Sequence, residues 1–263
     1  MTPHPIFQVD AFAKKPFSGN QAAVMPLDHW LSDEVMQAIA AENNLSETAF
    51  TVPSERDDAD YDLRWFTPAV EVPLCGHATL AAGHILMHGQ KVRFSTKSGI
   101  LIVARDEEDP GLLKLDLPAA PLTEVSEPEI CAALGISDRP MWFAEGCNDS
   151  IIVPVESEAE VRAISPDFTA LGKIHRMAIV TAQGNEQDIA SRVFVPYVGI
   201  DEDPVTGSAH AALVPYWAER LGRNRFTALQ ASKRAGLLDC ELRGDRVILG
   251  GHAVTVIEGY FQL

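Results

Sequence analysis

The chain is poor in positive charge and has no long apolar run. Its 263 residues carry 21 Lys and Arg against 37 Asp and Glu, a formal net charge of −16. Such a surface repels phosphate backbones, so no nucleic-acid partner is expected, and an anionic ligand has to be held by local dipoles. No apolar run approaches the roughly 20 residues that span a bilayer. The N-terminal MTPHPIFQVDAF lacks a basic segment followed by an apolar one. Neither a membrane span nor a secretory signal is read, and a cytoplasmic location is expected. Cysteine is scarce: Cys75, Cys131, Cys147 and Cys240 are widely spaced and form no CxxC pair. Neither a disulfide framework nor a zinc ribbon is suggested, and Cys131, Cys147 and Cys240 read as buried reduced thiols. There is no GxGxxG after a strand, no P-loop and no GxSxG elbow, so the common dinucleotide, ATP and serine-hydrolase readings fall away. His84 and His88 are four residues apart, but no glutamate accompanies them in a metalloprotease pattern and no third ligand is evident. No metal is expected.

What is present is an ordinary globular composition, 46% hydrophobic and 22% charged. The first half reads as strands at 4–10, 20–26, 48–52, 61–66, 91–95, 100–105 and 112–117. Lys15-Pro16-Phe17-Ser18-Gly19 makes the first turn. A helix is read over 32–43, capped by Ser32, with Asp33 and Glu34 in its first turn and an apolar face of Val35, Ile39 and Ala40. A second helix, from Gly76 to about Met87, is apolar all round and must be buried. The turn-rich Leu117-Pro118-Ala119-Ala120-Pro121 marks a boundary. It gives domains 1–117 and 122–263, the last strand being a candidate to cross to the first domain. The second half continues with a short helix after Ser126, further strands, and an apolar helix over 207–221.

The two apolar helices share a lead-in. Phe66-Thr67-Pro68 is followed by Glu71 and Gly76-His77-Ala78; Phe194-Val195-Pro196 is followed by acids and Gly207-Ser208-Ala209. If this is a repeat, each half wraps strands around a central helix. A glycine-led helix start presents unpaired N–H groups to an anion such as a carboxylate. The plainer reading is two turn glycines. Glu47, at the mouth of an apolar strand, is either a solvated loop glutamate or a general acid/base raised by desolvation. Asp203, in the acidic run before the second apolar helix, either favours the helix dipole or is one of the acids that binds a substrate amine or orients a neighbouring histidine. His77, in a helix first turn, is expected to stay neutral and to polarise or relay a proton.

Several runs together resemble the PhzF-like phenazine-biosynthesis family. They are Phe7-Gln8-Val9-Asp10-Ala11-Phe12, Phe17-Ser18-Gly19-Asn20-Gln21-Ala22-Ala23-Val24, Asn44-Leu45-Ser46-Glu47-Thr48-Ala49-Phe50, Cys75-Gly76-His77-Ala78-Thr79 and Glu202-Asp203-Pro204-Val205-Thr206-Gly207-Ser208-Ala209-His210. They occur in order over essentially the whole chain. The resemblance implies an α+β chain with the diaminopimelate epimerase-like fold, two similar domains each a curled sheet around a central helix, with the active site between them. It implies a cofactor-independent isomerase, usually a homodimer, acting on a small carboxylate-bearing molecule. The proton-shuttling glutamate falls on Glu47, and the family's histidine and aspartate fall on His77 and Asp203. Contacts to the substrate fall on Gly76, Gly207, Ser208 and Asn20. Related epimerases and racemases use two cysteines; Cys75 looks like the first, but Pro204 stands in place of the second. The alternatives are an amino-acid epimerase or racemase using Cys75, and a non-catalytic small-molecule binding protein. The substrate itself is not legible.

Overall fold

The computed structural model describes residues 2–147 and 149–263. In chain order the elements are β1 (Pro3–Ala11), β2 (Asn20–Pro26), α1 (Asp33–Asn43), β3 (Glu47–Pro53), β4 (Tyr61–Phe66), β5 (Glu71–Val72), α2 (Gly76–Leu86), β6 (Lys91–Thr96), β7 (Gly99–Arg105), β8 (Leu113–Pro118), β9 (Leu122–Val125), α3 (Pro128–Leu134), β10 (Met141–Ala144), β11 (Ser150–Pro154), α4 (Glu158–Ala163), α5 (Phe168–Leu171), β12 (Met177–Gln183), β13 (Ile189–Val195), β14 (Ile200–Asp203), α6 (Gly207–Leu221), β15 (Arg225–Gln230), β16 (Gly236–Arg243), β17 (Arg246–Gly251) and β18 (Ala253–Gln262). Two compact units emerge: Met1–Asp116 with Gly250–Leu263, and Leu117–Leu249. The final strand therefore belongs to the first unit, where it pairs antiparallel with β1. No described helix is long and apolar enough to cross a membrane.

In the first unit β1 and β2 run antiparallel, β2 and β3 parallel, and β3 and β4 antiparallel. The short β5 folds back on β4, and β6 returns parallel to it before pairing with β7. The second unit repeats this plan. β10 and β11 are antiparallel, β11 and β12 parallel, and β12 and β13 antiparallel. β14 folds back on β13, and β15 lies parallel to β13 and then pairs with β16. Both units place a mostly buried helix, α2 or α6, after the fold-back strand.

The likeness extends to side chains. Across β4 and β5, Arg64 grips Glu71 with two hydrogen bonds of 2.8 and 2.9 Å, and its guanidinium lies 5.1 Å from the centre of the Phe66 ring. Across β13 and β14, Arg192 grips Glu202 at 2.7 and 2.9 Å and lies 4.8 Å from the Phe194 ring. Each fork closes the fold-back that delivers the chain to the central helix. The acids at 201–203 therefore lie in a strand and not in a polar loop. They form β14, with Glu202 neutralised by Arg192 and Asp203 paired with Val193.

Local chemistry accounts for the helices. Ser32 caps α1 by accepting from the Val35 N–H at 3.4 Å, and Asn44 closes it in a left-handed conformation (φ 47°). The buried face is Met36, Ile39 and Ala40; Val35, expected in that face, is only partly buried. These side chains join a core with Met25, Phe50 and Phe66. In α2, nine of eleven residues are buried, as an all-round apolar helix requires. Gly83 lets it approach the sheet: a Cβ there would stand 2.6 Å from Val103 Cγ1 on β7.

Candidate active site

Three element starts in the first unit bring the expected residues together. Asn20 is the first residue of β2, Glu47 the first of β3, and His77 the second of α2. The parallel β2–β3 register sets Glu47 beside Ala22, two residues past Asn20. Gly19 makes the preceding turn possible. Its φ is +68°, and a Cβ would lie 2.1 Å from the Ala11 carbonyl oxygen.

Glu47 Oε2 lies 3.0 Å from His77 Nε2. Both atoms are buried, and neither has a hydrogen-bond partner among the described residues. The contact is close enough for an ion pair, but the ring N–H is not aligned with the carboxylate. The Glu47 side chain is only 15% exposed, so it does not point into bulk water. On the other side of the ring, Nδ1 lies 3.1 Å from Asn20 Nδ2 and 3.5 Å from Cys75 Sγ. Ser46 Oγ donates to Asn20 Oδ1 at 2.9 Å.

The charges here are coupled. Burial works against a charged His77, but Cys75 and Glu47 outweigh it and raise its pKa above the ordinary value. This departs from the expectation that a first-turn helix position alone keeps the ring neutral. Burial, reinforced by the Glu47 charge, pushes the Cys75 thiol up to about 11, so at neutral pH the support for a charged ring comes from Glu47 alone. Glu47, Cys75 and His77 offer ligand atoms within 4.8 Å of one another. The thiol lies nearest Nδ1 and the carboxylate nearest Nε2.

The second unit holds the other group. Asp203 ends β14, and its Oδ2 accepts from the Thr206 hydroxyl. Gln230, fully buried at the end of β15, donates to the Asp203 carbonyl at 2.8 Å and to Thr206 Oγ1 at 3.2 Å, and accepts from the Thr206 N–H at 2.8 Å. Its amide fixes both ends of the Asp203–Thr206 loop. Gly207 and Ser208, both buried, begin α6. Neither Cys75 at the start of α2 nor Thr206 at the start of α6 makes a side-chain cap hydrogen bond, in contrast to Ser32 at α1. His210 Nδ1 donates to the Thr206 carbonyl at 2.8 Å, the position where Thr79 Oγ1 bonds the Cys75 carbonyl in α2, and burial lowers the His210 pKa to about 4.

Glu47, His77, Asn20, Cys75 and Gly76 thus gather in one unit, and Asp203, Gly207 and Ser208 in the other. Sequence reasoning missed Gln230 and gave Ser46 and Thr206 no role. The signal for Gln230 was its phase: it follows Phe226 and Ala228 on the buried face of a strand, where an unpaired amide would be costly.

Comparison with known proteins places the family and the fold. The profile of PhzC-PhzF, described as phenazine biosynthesis-like protein, matches residues 9–259. An uncharacterized isomerase of Pseudomonas aeruginosa is 51% identical, with 97% of each chain covered. A crystal structure of a PhzF-family protein from Enterococcus faecalis superposes with a TM-score of 0.87 at 42% identity, with 100% of each chain covered. A hydroxyproline epimerase from Agrobacterium vitis shares the fold at a TM-score of 0.64 and 10% identity, covering 98% of this chain and 92% of that one.

Proposed function

Because the chain belongs to the PhzC-PhzF family of phenazine biosynthesis-like proteins, we propose that it is an isomerase that moves a proton on a small carboxylate-bearing substrate, with Glu47 as the acid/base. The observation that carries the reading is the contact of Glu47 Oε2 and His77 Nε2, 3.0 Å apart, buried, and not hydrogen-bonded to each other or to another described group. Such groups are costly to bury unless a ligand completes them.

In this mechanism Glu47 takes a proton from a substrate carbon and returns it to another. The bonding pair left behind shifts along the substrate, so atoms and charge balance without an oxidant. His77 donates from Nε2 to the atom on which negative charge develops. Asp203 engages a polar group of the substrate, while the amides of Gly76 and Gly207 and the Ser208 hydroxyl hold its carboxylate. A thiol with a pKa of about 11 is a poor base at neutral pH, which argues against a Cys75-based epimerase. The proposal extends to a homodimer working without cofactor in the cytoplasm.

The test is deuterium incorporation from D2O into a panel of cyclic amino-carboxylates, followed by NMR. Wild type is expected to label carbon, Cys75→Ser to keep the label, and Glu47→Gln to slow it by about 10²–10⁴-fold. Near-normal exchange in Glu47→Gln removes Glu47 from the mechanism. Binding without any exchange supports a non-catalytic binding protein instead.

A further inference from the structure

We infer that Asn20 and Ser46 are positioning residues that hold His77 in its neutral form with the single ring proton on Nε2, so that it acts as a fixed hydrogen-bond donor and not as a proton relay. The inference rests on the reading of Glu47 and His77 as the reacting pair and assigns what keeps one of them in its working state.

Three contacts carry it. First, Nε2 stands 3.0 Å from Glu47 Oε2. A carboxylate that close favours a proton on this nitrogen over the far one through its charge, although the N–H is not aligned with it. Second, the Asn20 amide is buried, and its oxygen is committed to the Ser46 hydroxyl at 2.9 Å. That leaves Nδ2, a donor only, facing His77 Nδ1 at 3.1 Å. A second proton on Nδ1 would meet an N–H bond head-on. Third, Cys75 Sγ approaches the same nitrogen at 3.5 Å. With its pKa near 11 it is a thiol at neutral pH, and it too offers a hydrogen to Nδ1. Glu47 pulls toward a charged ring; burial and the two donors at Nδ1 oppose it, and the upward pull of Cys75 on the ring's pKa acts only once the thiol has ionised, well above pH 7. Among the described residues, Asn20, Cys75 and Glu47 are the groups within hydrogen-bond or ion-pair distance of the ring nitrogens, from β2, the N-cap of α2 and β3.

The consequence is chemical. An imidazolium beside Glu47 would form a closed ion pair and lower the carboxylate's appetite for a substrate proton. A neutral ring leaves Glu47 as the base while still presenting an N–H to the substrate. The turn at Gly19 serves this purpose, because it sets the Asn20 amide at the ring's edge.

The experiment is ¹⁵N NMR of the full chain labelled at histidine, with the His77 signals assigned by their loss in His77→Gln. At pH 7 wild type is expected to show one protonated nitrogen, Nε2, and one unprotonated nitrogen, Nδ1. A protonated Nδ1, in either the other tautomer or the imidazolium, overturns the inference whether or not the enzyme turns over. Asn20→Asp replaces the opposing donor with an acceptor and is expected to convert His77 to the doubly protonated form. Ser46→Ala frees the amide and is expected to give a mixture of ring forms. A His77 spectrum unchanged in both folded variants overturns the assignment of Asn20 and Ser46. The spectrum is read without substrate, so failure of the isomerase reading appears separately, as absent deuterium exchange.

Discussion

Substituting Gly83 by alanine sets two principles against each other. Gly83 lies inside α2, where alanine is favoured over glycine by about 1 kcal/mol on helix propensity. The new Cβ would, however, stand 2.6, 2.7 and 2.9 Å from Cγ1, Cβ and Cγ2 of Val103. None of these is the end of a flexible chain: the Val103 Cβ is fixed to the β7 backbone, and rotation exchanges one methyl for another. Helix or strand must shift, an overpacking cost of about 1–3 kcal/mol, here toward the upper end. The net expectation is destabilisation by about 1–2 kcal/mol, which at this chain length lowers Tm by roughly 2–8 °C. Thermal unfolding by circular dichroism measures it. Val103→Ala removes two of the three close atoms, so the double variant should be more stable than the sum of the singles predicts, with a coupling of about 0.5–3 kcal/mol. Because α2 carries His77, Gly83→Ala is also expected to slow turnover. A raised Tm, or strict additivity with Val103→Ala, would refute the claim that Gly83 is there for close approach.

Two further expectations test the supports of the site. Gln230→Leu leaves the Thr206 N–H and the Asp203 carbonyl without their partner, at about 1–3 kcal/mol for each unsatisfied group. Urea midpoints should fall, and turnover on any substrate found by the exchange panel should drop by up to about 10²-fold as Asp203 loses its position. The Arg64–Glu71 fork predicts a pH dependence. Arg64, assisted by Lys97 and opposed by burial, holds the Glu71 carboxyl at about 2 against an ordinary 4.5. A depressed folded-state pKa means that the stabilisation is fully present above pH 4.5 and is lost as pH falls toward 2. The urea midpoints of wild type and Glu71→Gln should therefore differ at pH 7 and converge through that window; a constant gap would show that the Glu71 charge contributes nothing.

The sequence by itself settled what depends on local chemistry and on order along the chain. The Ser32 cap, the acids beside it and the Gly76 and Gly207 starts marked three helices, because capping and glycine conformations are set within a few residues. The strand-to-helix lead-in shared by Phe66 and Phe194 was readable as a repeat for the same reason. Tertiary structure decided the rest. Arg64 and Arg192 are unremarkable in sequence; only the fold-back of β5 and β14 shows that each grips a glutamate seven or ten residues on. Gln230 acts on residues 24 to 27 positions away, and no local pattern encodes such a partner. Asn20, the adjacent Ser46 and Glu47, and His77 stood in three separate runs of the chain. Their meeting depends on the register of β2 against β3 and on how closely α2 lies on the sheet, and those are set by packing, which couples residues distant along the chain.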